Sequence, residues 1–348
     1  MEITDVAVEA VQTAPDPTPI ADALQTLPGA GTVTVTVELD TGITGEGSVG
    51  FGRISGAPAT LAALIEAELT PHIIGSNPNM VRAIRRDLQV EVAYHGAKGL
   101  ATFGIAAIDT AIWDALGKAR GVPCWQLWGG VKADIPAYAM VGWSNYDDEK
   151  LYEVCAQAVD QGFRGVKIKV GAGSLDRDIT RIEIARDAVG PDRDLMVDAN
   201  QTLTTKEAIR RAAAYAEYDV EWFEEPLPAD DVDGYARLTT RAELPIASGE
   251  NCYAIGDVTR LLRREAIDIV QPDRRRMGGP TGLLDVAAVA HGFGIPYTSH
   301  GGDPAHLHVL ACTPTATYLE TGLLDENTPF ALDAGCVAVP TAPGIAWS

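Results

Sequence analysis

The feature that most constrains the fold is a regular alternation of apolar strand patterns with helical patterns, beginning near residue 134. In chain order, the strand candidates are IPAYAMVGW, GVKIKV, DLMVDAN, VEWFEEP, LPIASGEN, AIDIVQPD, IPYTSH and ATYLE. Helical patterns such as EKLYEVCAQAVDQG and TTKEAIRRAAAYAEY separate them. Eight short strands alternating with helices over about 190 residues predict an α/β barrel of the (β/α)8 type, in which one helix can be trimmed.

The first part of the chain has a different rhythm. Residues 1–125 contain alternating patterns such as GTVTVTVELDTG, followed by helical patterns such as TFGIAAIDTAIWDALGKARG. Strands and helices in separate runs are typical of an α+β domain. We therefore expect an α+β domain over residues 1–125 and a barrel over residues 126–325. A tail rich in Pro and Gly, residues 326–348, should pack back against the first domain.

Charge and composition exclude several classes of partner. A net charge of −21 argues against nucleic acid and anionic membranes, since both would repel the chain. Apolar runs such as LLDVAAVA are far shorter than the roughly 20 residues of a membrane span. The first residues, MEITDVAVEA, do not resemble a signal peptide. The cysteines are scattered and never form a CxxC pair, so we expect reduced thiols and a cytoplasmic protein.

Almost every predicted barrel strand ends in an ionisable side chain. Catalytic groups in such barrels come from the C-terminal ends of the strands, whereas a purely structural barrel has no reason for this pattern. The strand-end residues are Lys167, Lys169, Asp198, Asn200, Glu224, Glu225, Glu250, Asn251, Asp273, His300 and Glu320.

Three of these carboxylates recur at equal spacing. Asp198 and Glu224 lie 26 residues apart, and Glu250 follows after another 26. One strand-helix-strand unit has about this length, so we expect equivalent positions on adjacent strands. Converging carboxylates repel one another unless a cation lies among them, and hard oxygen ligands favour Mg²⁺.

The two lysines of the second strand lie on the same face, because side chains alternate along a strand. We expect Lys169 to be a neutral amine near pH 7, because Lys167 and the metal disfavour its ammonium form, and to abstract the α-proton of a bound carboxylic acid. Lys167 should stabilise the charge that develops on the substrate carboxylate.

Asp273 and His300 form a second predicted unit. An aspartate that accepts from one ring nitrogen leaves the other nitrogen free as an acid or base. Glu320, if burial keeps it protonated, could donate a hydrogen bond to the substrate carboxylate.

Taken together, these residues resemble those of a known family. The motifs KIK, DAN, EEP, GEN, QPD, SH and LE, in this order, are similar to those of the mandelate racemase subgroup of the enolase superfamily. The resemblance runs from about residue 1 to residue 345. The segment QPDRRRMGG is more basic than the family pattern around Arg274 and Arg275, so the role of this loop remains open.

The resemblance implies a modified (β/α)7β barrel with an α+β capping domain, and one Mg²⁺ on Asp198, Glu224 and Glu250. It also implies that Lys169 and the His300–Asp273 dyad face opposite sides of the substrate α-carbon. Members of the family are often symmetric homo-oligomers, so we expect an oligomer here.

Substrate specificity in the family is read mainly by loops of the capping domain, here about residues 14–31 and 47–57. We expect substrate contacts from Arg53 in the second loop, and from Asn200 and Trp143 at strand ends. Further possible contacts are His95, His306 and His308.

The glycines of GEGSVG match the dinucleotide-binding pattern GxGxxG. That site also needs a helix that opens directly on the glycines and an acid at the end of the next strand. Here FGRISGAP intervenes, and Glu66 falls within a helical pattern. We therefore reject a dinucleotide site.

Three functions stay open. The first is Mg²⁺-dependent α-proton abstraction through an enediolate, followed by loss of the β-hydroxyl, which dehydrates a sugar acid to a 2-keto-3-deoxy acid. The second is racemisation or epimerisation of a 2-hydroxy acid by Lys169 and His300 as opposed bases. The third is non-catalytic carboxylate binding, which the intact bases disfavour. The resemblance favours the dehydratase.

Overall fold

The computed structural model describes residues 1–345, except for the side chain of His95. Its N-terminal domain is built on an antiparallel sheet in which β4 (Gly31–Leu39) lies between β1 (Ile3–Gln12) and β5 (Thr44–Phe51). Alternate residues of β4 are buried, as its sequence pattern predicts. A small hairpin of β2 (Ile20–Ala21) and β3 (Thr26–Leu27) lies within the first predicted specificity loop.

Helices cover one face of this sheet: α1 (Ala57–Leu64), α2 (Val81–Gly96) and α3 (Leu100–Arg120). Two glycines of β5 allow α3 to approach closely. A Cβ at Gly45 would lie 2.2 Å from the Ala111 carbonyl oxygen, and one at Gly47 would lie 2.1 Å from that of Ala107. Gly45 and Gly47 of GEGSVG therefore serve helix-sheet packing, which gives two of the three motif glycines a reason unrelated to dinucleotide binding.

Helix α3 is the one described helix whose length and composition would suit a membrane span. Its 21 residues have a mean hydropathy of 1.3 over the most apolar window, but 78% of that window is buried inside the protein. The helix contains no long uninterrupted apolar run, because Asp109 and Asp114 divide its sequence. The apolar surface of α3 packs against β4 and β5, as expected of a core helix.

The second domain is a closed parallel barrel. Its strands are β6 (Asp134–Gly142), β7 (Gly165–Lys169), β8 (Asp194–Asp198), β9 (Val220–Glu224), β10 (Ile246–Ser248), β11 (Ile269–Val270) and β12 (Leu319–Thr321). Parallel bridges from Val270 to Tyr297 and from Tyr297 to Ala316 add the seventh position, and β12 pairs with β6 to close the ring. The predicted barrel is confirmed.

A helix follows each of the first seven strand positions, which gives the (β/α)7β architecture. These helices are α5 (Asp148–Asp160), α6 (Leu175–Val189), α7 (Thr205–Tyr215), α8 (Val232–Thr239), α9 (Ile255–Arg263), α10 (Pro280–Phe293) and α11 (Pro304–Ala311). A short helix, α4 (Cys124–Trp128), joins the domains. Side-chain caps such as Asp147, Ser174 and Thr204 accept bonds from the first turns of α5, α6 and α7.

The bottom of the barrel interior is plugged by side chains. Tyr138, Met196, Trp222, Ala247 and Ile269 form one buried cluster, in which the Tyr138 and Trp222 rings are 5.4 Å apart at 78°. Their strands continue past this cluster toward the charged strand ends. The barrel is therefore a packed core below and a polar site at the opposite end.

The C-terminal tail contacts both domains. Strand β14 (Cys336–Ala338) forms a hairpin with β13 (Leu332–Asp333) and pairs antiparallel with β6. Farther along, Gly344 lies beside Pro123 in a parallel bridge. The Ile345 N–H donates to Asp114 of α3 at 2.7 Å. The tail thus runs alongside the segment by which the chain first enters the barrel.

Candidate active site

The charged side chains at the barrel's C-terminal end come from neighbouring strands. Lys169 is the pairing partner of Asp198, and Asp198 is the partner of Glu224. Glu250 departs from this register. The partner of Glu224 on β10 is Ala247, and Glu250 comes after the end of that strand. It joins Asp198 and Glu224, with which it forms the carboxylate row, through a turn at Gly249. The φ of 136° at this position favours glycine. Equal spacing therefore located the third carboxylate, but not the way in which it is positioned.

Each carboxylate of the row lies against a different cationic side chain. Lys169 Nζ lies 2.5 Å from Asp198 Oδ2. Lys167 Nζ donates to both oxygens of Glu224 at 2.7 Å. His300 Nε2 lies 2.5 Å from Glu250 Oε2. The two candidate bases thus contact the first and last carboxylates, and Lys167 contacts the middle one.

The carboxylate row fits a divalent cation by its chemistry. Burial raises the pKa of Glu224 to about 7, and Asp198 and Glu250 add to the rise although Lys167 opposes it. Such mutual repulsion is what a bound cation would relieve. Within residues 1–345, no three His, Cys, Asp or Glu side chains have their donor atoms gathered around one point, because each carboxylate is turned toward its cationic neighbour.

The protonation of Lys169 depends on its charged neighbours. Burial lowers the pKa of Lys169, but the nearby carboxylates, Asp198 foremost, together outweigh it, so the net pKa is raised above 10.5. The expectation of a neutral Lys169 depends on a bound metal as well as on Lys167, so it stays a prediction. The Lys169 ammonium also lies 5.4 Å from the centre of the Trp143 ring.

The Lys167 side chain is buried between two carboxylates. It is 1% exposed and forms ion pairs with Glu224 and Glu320, which raise its pKa well above 10.5 in spite of burial. Its ammonium is thus committed to two carboxylates, and it can act on a substrate only from within this network.

Asp273 and His300 form the predicted pair. A parallel bridge brings their backbones together, and His300 Nδ1 lies 2.9 Å from Asp273 Oδ2. Burial would lower the pKa of His300, but Glu250 and Asp273 raise it to about 10. Burial would raise the pKa of Asp273, yet Arg275, His300 and Arg276 hold it well below its usual range. This aspartate stays a carboxylate that orients the ring.

Glu320 is not the protonated donor that burial alone predicts. Burial raises its pKa, but Lys167 and His300 outweigh this effect and lower it to about 2. The carboxylate accepts from the Tyr138 hydroxyl at 2.5 Å and from the Gly301 N–H at 2.9 Å. The expected hydrogen-bond donation from a neutral Glu320 is therefore wrong, because three donors surround it.

The predicted substrate contacts fall into two groups. Asn200 is buried beside the row, where its backbone N–H donates to Asp198 at 2.8 Å and its Oδ1 has no protein partner. Trp143 lies over Lys169. Arg53 is exposed and bonds to Gln25 Oε1 at 3.0 Å, which ties the two predicted specificity loops to each other.

His306 and His308 form hydrogen bonds away from the three carboxylates. His306 is buried and its Nε2 accepts from the Arg274 N–H at 3.3 Å, and His308 Nδ1 accepts from the Trp125 N–H at 3.1 Å. Both therefore serve packing between α11 and its neighbours. The side chain of His95 lies outside the described part of the chain.

Two further residues belong to the site: Glu225, which the sequence placed only at a strand end, and Tyr138, which the sequence argument missed. Glu225 has a φ of 34°, and burial next to Glu250 raises its pKa to about 8. It bonds to Asn251 Nδ2, which in turn donates to Glu250 Oε1 at 2.8 Å. Tyr138 could have been found from strand alternation, because it lies two residues before Met140, the partner of Lys167.

Comparison with known families matches both domains. Residues 4–129 match the mandelate racemase/muconate lactonizing enzyme N-terminal domain, and residues 150–347 match the enolase C-terminal domain-like family. A 3,6-anhydro-alpha-L-galactonate cycloisomerase of Streptomyces coelicolor is 33% identical, with 90% of this chain and 87% of the relative covered. An arabinonate dehydratase of Saccharolobus solfataricus is 32% identical, with 88% and 86% covered.

Solved structures agree with the whole architecture. A racemase from Streptomyces coelicolor A3(2) with bound magnesium has a TM-score of 0.92 and 32% identity, with 99% of this chain and 96% of that chain covered. The L-talarate/galactarate dehydratase of Salmonella typhimurium, with Mg and L-lyxarohydroxamate, has a TM-score of 0.90 and 27% identity, with 98% and 88% covered. Fold, strand-end residues and sequence similarity thus agree, and the chain belongs to the mandelate racemase/muconate lactonizing enzyme group of the enolase superfamily.

Proposed function

We propose that this protein uses Mg²⁺ to abstract the α-proton of a sugar acid and then eliminates its β-hydroxyl. The observation that carries this proposal is the position of the two candidate bases. Lys169 contacts the first carboxylate of the row and His300 contacts the last. A substrate carboxylate held at the row would therefore have a base at either end.

The chain's residues have distinct parts in this reaction. When bound by Asp198, Glu224 and Glu250, Mg²⁺ would supply charge stabilisation to a carboxylate as its α-carbon loses a proton. Lys169 or His300, in its neutral form, takes that proton, and the electron pair of the C–H bond passes into the carboxylate as an enediolate. His300 then gives a proton to the departing β-hydroxyl, which leaves as water. Asp273 holds the ring so that Nε2 faces the site.

Dehydratases are among the similar proteins, which supports this choice of reaction. The names of two similar proteins describe dehydration of sugar acids, namely arabinonate and L-talarate/galactarate. Dehydration also uses the two groups in different roles, which fits one amine base and one imidazole group that can act as an acid. The product would be a 2-keto-3-deoxy acid.

Racemisation or epimerisation is the second candidate, because bases at both ends of the row can exchange protons on either face of an α-carbon. A similar solved structure is described as a racemase. The substrate's β-hydroxyl separates the two reactions. Non-catalytic binding has no support from an observation of the site.

The test is incubation with Mg²⁺ and a library of aldonic, aldaric and uronic acids in D₂O, followed by NMR. Formation of a 2-keto-3-deoxy acid supports the dehydratase. Deuterium at the α-carbon with the β-hydroxyl retained would replace it with a racemase or epimerase. Lys169→Met and His300→Asn are the matched controls, because a contaminating enzyme would be unaffected by either substitution. No reaction or exchange with any acid would contradict the proposed substrate class.

A further inference from the structure

The arginine triplet after Asp273 has no part in the reaction described so far. Arg275 holds the dyad's aspartate most closely, since the Arg276 Nη1 lies farther from the same carboxylate, at 3.6 Å. Its Nη2 donates to Asp273 Oδ2 at 2.7 Å, and its backbone N–H donates to Asp273 Oδ1 at 2.7 Å. Asp273 Oδ2 is also the atom that faces His300 Nδ1 at 2.9 Å. Arg275 and His300 therefore share one carboxylate oxygen.

The same guanidinium reaches the capping domain. Arg275 Nη1 donates to the Gly50 carbonyl at 3.2 Å, at the end of β5, and its guanidinium carbon lies 5.7 Å from the centre of the Phe103 ring of α3. Gly50 belongs to the predicted specificity loop of residues 47–57. One side chain thus joins the dyad's aspartate to the other domain.

The rest of the segment from Asp273 to Thr281 is held by the capping domain as well. Arg85 Nη2 donates to the Met277 carbonyl at 2.7 Å. Asp109 accepts from the Thr281 N–H at 2.9 Å and from its hydroxyl at 2.7 Å. The barrel loop that carries Asp273 is therefore positioned largely by groups outside the barrel.

Arg274 provides a natural comparison. It also reaches the capping domain, at Thr110 Oγ1 (3.0 Å) and the Ser48 carbonyl (2.6 Å). Its carboxylate partner is Asp303 at 2.6 Å, not Asp273. Arg274 and Arg275 thus both join the domains, but only Arg275 holds the dyad.

We propose that Arg275 is a positioning residue, which fixes the Asp273 carboxylate and thereby orients the His300 ring. A forked, planar guanidinium holds the plane of a carboxylate in a way that a single ammonium does not. With Arg275 gone, Asp273 keeps the backbone N–H groups of Arg275 and Arg276 on Oδ1, but Oδ2 loses its strongest restraint. This inference deepens the proposed function and rests on it for the catalytic importance of His300.

The first test needs no substrate. Full-length protein with Mg²⁺ and ¹⁵N-labelled histidine is compared with Arg275→Met, Arg275→Lys and Arg274→Met, and His300→Asn assigns the His300 ring signals. We expect Arg275→Met to move these signals, Arg275→Lys to move them less, and Arg274→Met to leave them in place. Unchanged signals in Arg275→Met, or equal shifts in Arg274→Met, would overturn the proposal. Should Arg275→Met not fold, unchanged signals in Arg275→Lys would overturn it.

The second test measures α-proton exchange in D₂O with two probes, galactarate and L-talarate. His300→Asn and Lys169→Met identify which exchange belongs to which base. We expect Arg275→Met to slow the His300-dependent exchange by about a hundredfold, because displacement of a catalytic group by about 1 Å has that effect, and to spare the Lys169-dependent exchange. Equal slowing of both exchanges would contradict a role specific to His300. If neither probe exchanges in the parent protein, the proposed substrate class has failed, and the ring signals alone decide the role of Arg275.

Discussion

The two sides of the site are held in place by different parts of the molecule. On one side, Lys167, Lys169 and Asp198 belong to adjacent barrel strands, and their partners come from the same barrel. On the other side, Asp273 lies at the start of a barrel loop that is bonded to the capping domain. Arg275 of this loop contacts both Asp273 and Gly50, and Asp109 of α3 accepts from the loop's far end. The lysine side is thus fixed by strand pairing, whereas the histidine side depends on how two domains meet.

One site therefore combines two kinds of rigidity, one from main-chain pairing and one from side-chain contacts. Parallel strand pairing fixes Lys169 through a continuous ladder of main-chain bonds. His300 is joined to its neighbour by an isolated bridge and is oriented by side chains. Changes at the domain interface should therefore reach His300 before they reach Lys169.

Removing either base should have the largest effect, and it should separate the two sides cleanly. We expect His300→Asn to slow proton transfer at one face of the α-carbon, and Lys169→Met to slow it at the other face. Each substitution should reduce the rate by about 10²- to 10⁴-fold. Stereospecific deuterium exchange measures both faces in one experiment. Equal loss at both faces in each variant would contradict the assignment of one base to each side.

The lysine side should be sensitive to loss of a buried charge. We expect Lys167→Met to lower the free energy of unfolding by about 3–5 kcal/mol, because Glu224 and Glu320 would remain buried without their partner. Urea unfolding in EDTA measures this. Combining Lys167→Met with Glu224→Gln and Glu320→Gln should restore most of the loss. A triple variant no more stable than Lys167→Met would show that packing, not charge, is responsible.

The domain interface should show its own pH dependence through Asp109. Burial raises the pKa of Asp109 to about 6, in spite of its hydrogen bonds from Thr281 and the nearby Arg85 and Arg82. The folded state therefore binds a proton that the unfolded state releases near pH 4, so stability falls as pH rises from about 4 to about 6.

We expect Asp109→Asn to remove this fall, which a shift of about two units sets at about 3 kcal/mol. Unfolding free energies of the parent and variant at pH 4.5 and pH 7 measure the difference. Asp114→Asn, on the same helix, is the control. A parent–variant difference that is the same at both pH values would contradict the prediction.

Magnesium should act on the carboxylate row that lies between the two sides. We expect a concentration one hundred times the dissociation constant to raise the free energy of unfolding by about 2.7 kcal/mol. Thermal unfolding with Mg²⁺ and with EDTA measures this shift. It should be lost in Asp198→Asn and Glu250→Gln, and kept in Arg53→Ala. A shift that persists in both carboxylate variants would place the ion elsewhere.

The alternation of strand and helix patterns was enough to predict the barrel. The position of each ionisable residue at the end of a strand pattern was enough to predict which of them lie at the barrel's C-terminal end. Lys169, Asp198 and Glu224 follow directly from strand ends. The turn that carries Glu250 could not be predicted, because it depends on where β10 stops pairing. Long-range pairing was equally hidden. Glu320 is ionised because it meets Lys167, which is 153 residues away in sequence.

The charge state of Glu320 could not be predicted from its own position in the sequence. Burial alone favours a protonated Glu320. In the folded chain, this group lies against opposite charges, and their attraction exceeds the effect of burial. The role of the arginine triplet was hidden likewise, since Gly50 and Phe103 come from the other domain.

The tail beside the domain junction has a mechanical consequence. The chain crosses between the domains twice, first near Pro123 and again near Gly344, and these two crossings lie side by side. The tail therefore adds a second main-chain contact at the junction, directly beside the first connection between the domains. Loss of the tail's contacts with Pro123 and Asp114 would leave the connection near Pro123 with less support in setting how the capping domain meets the barrel.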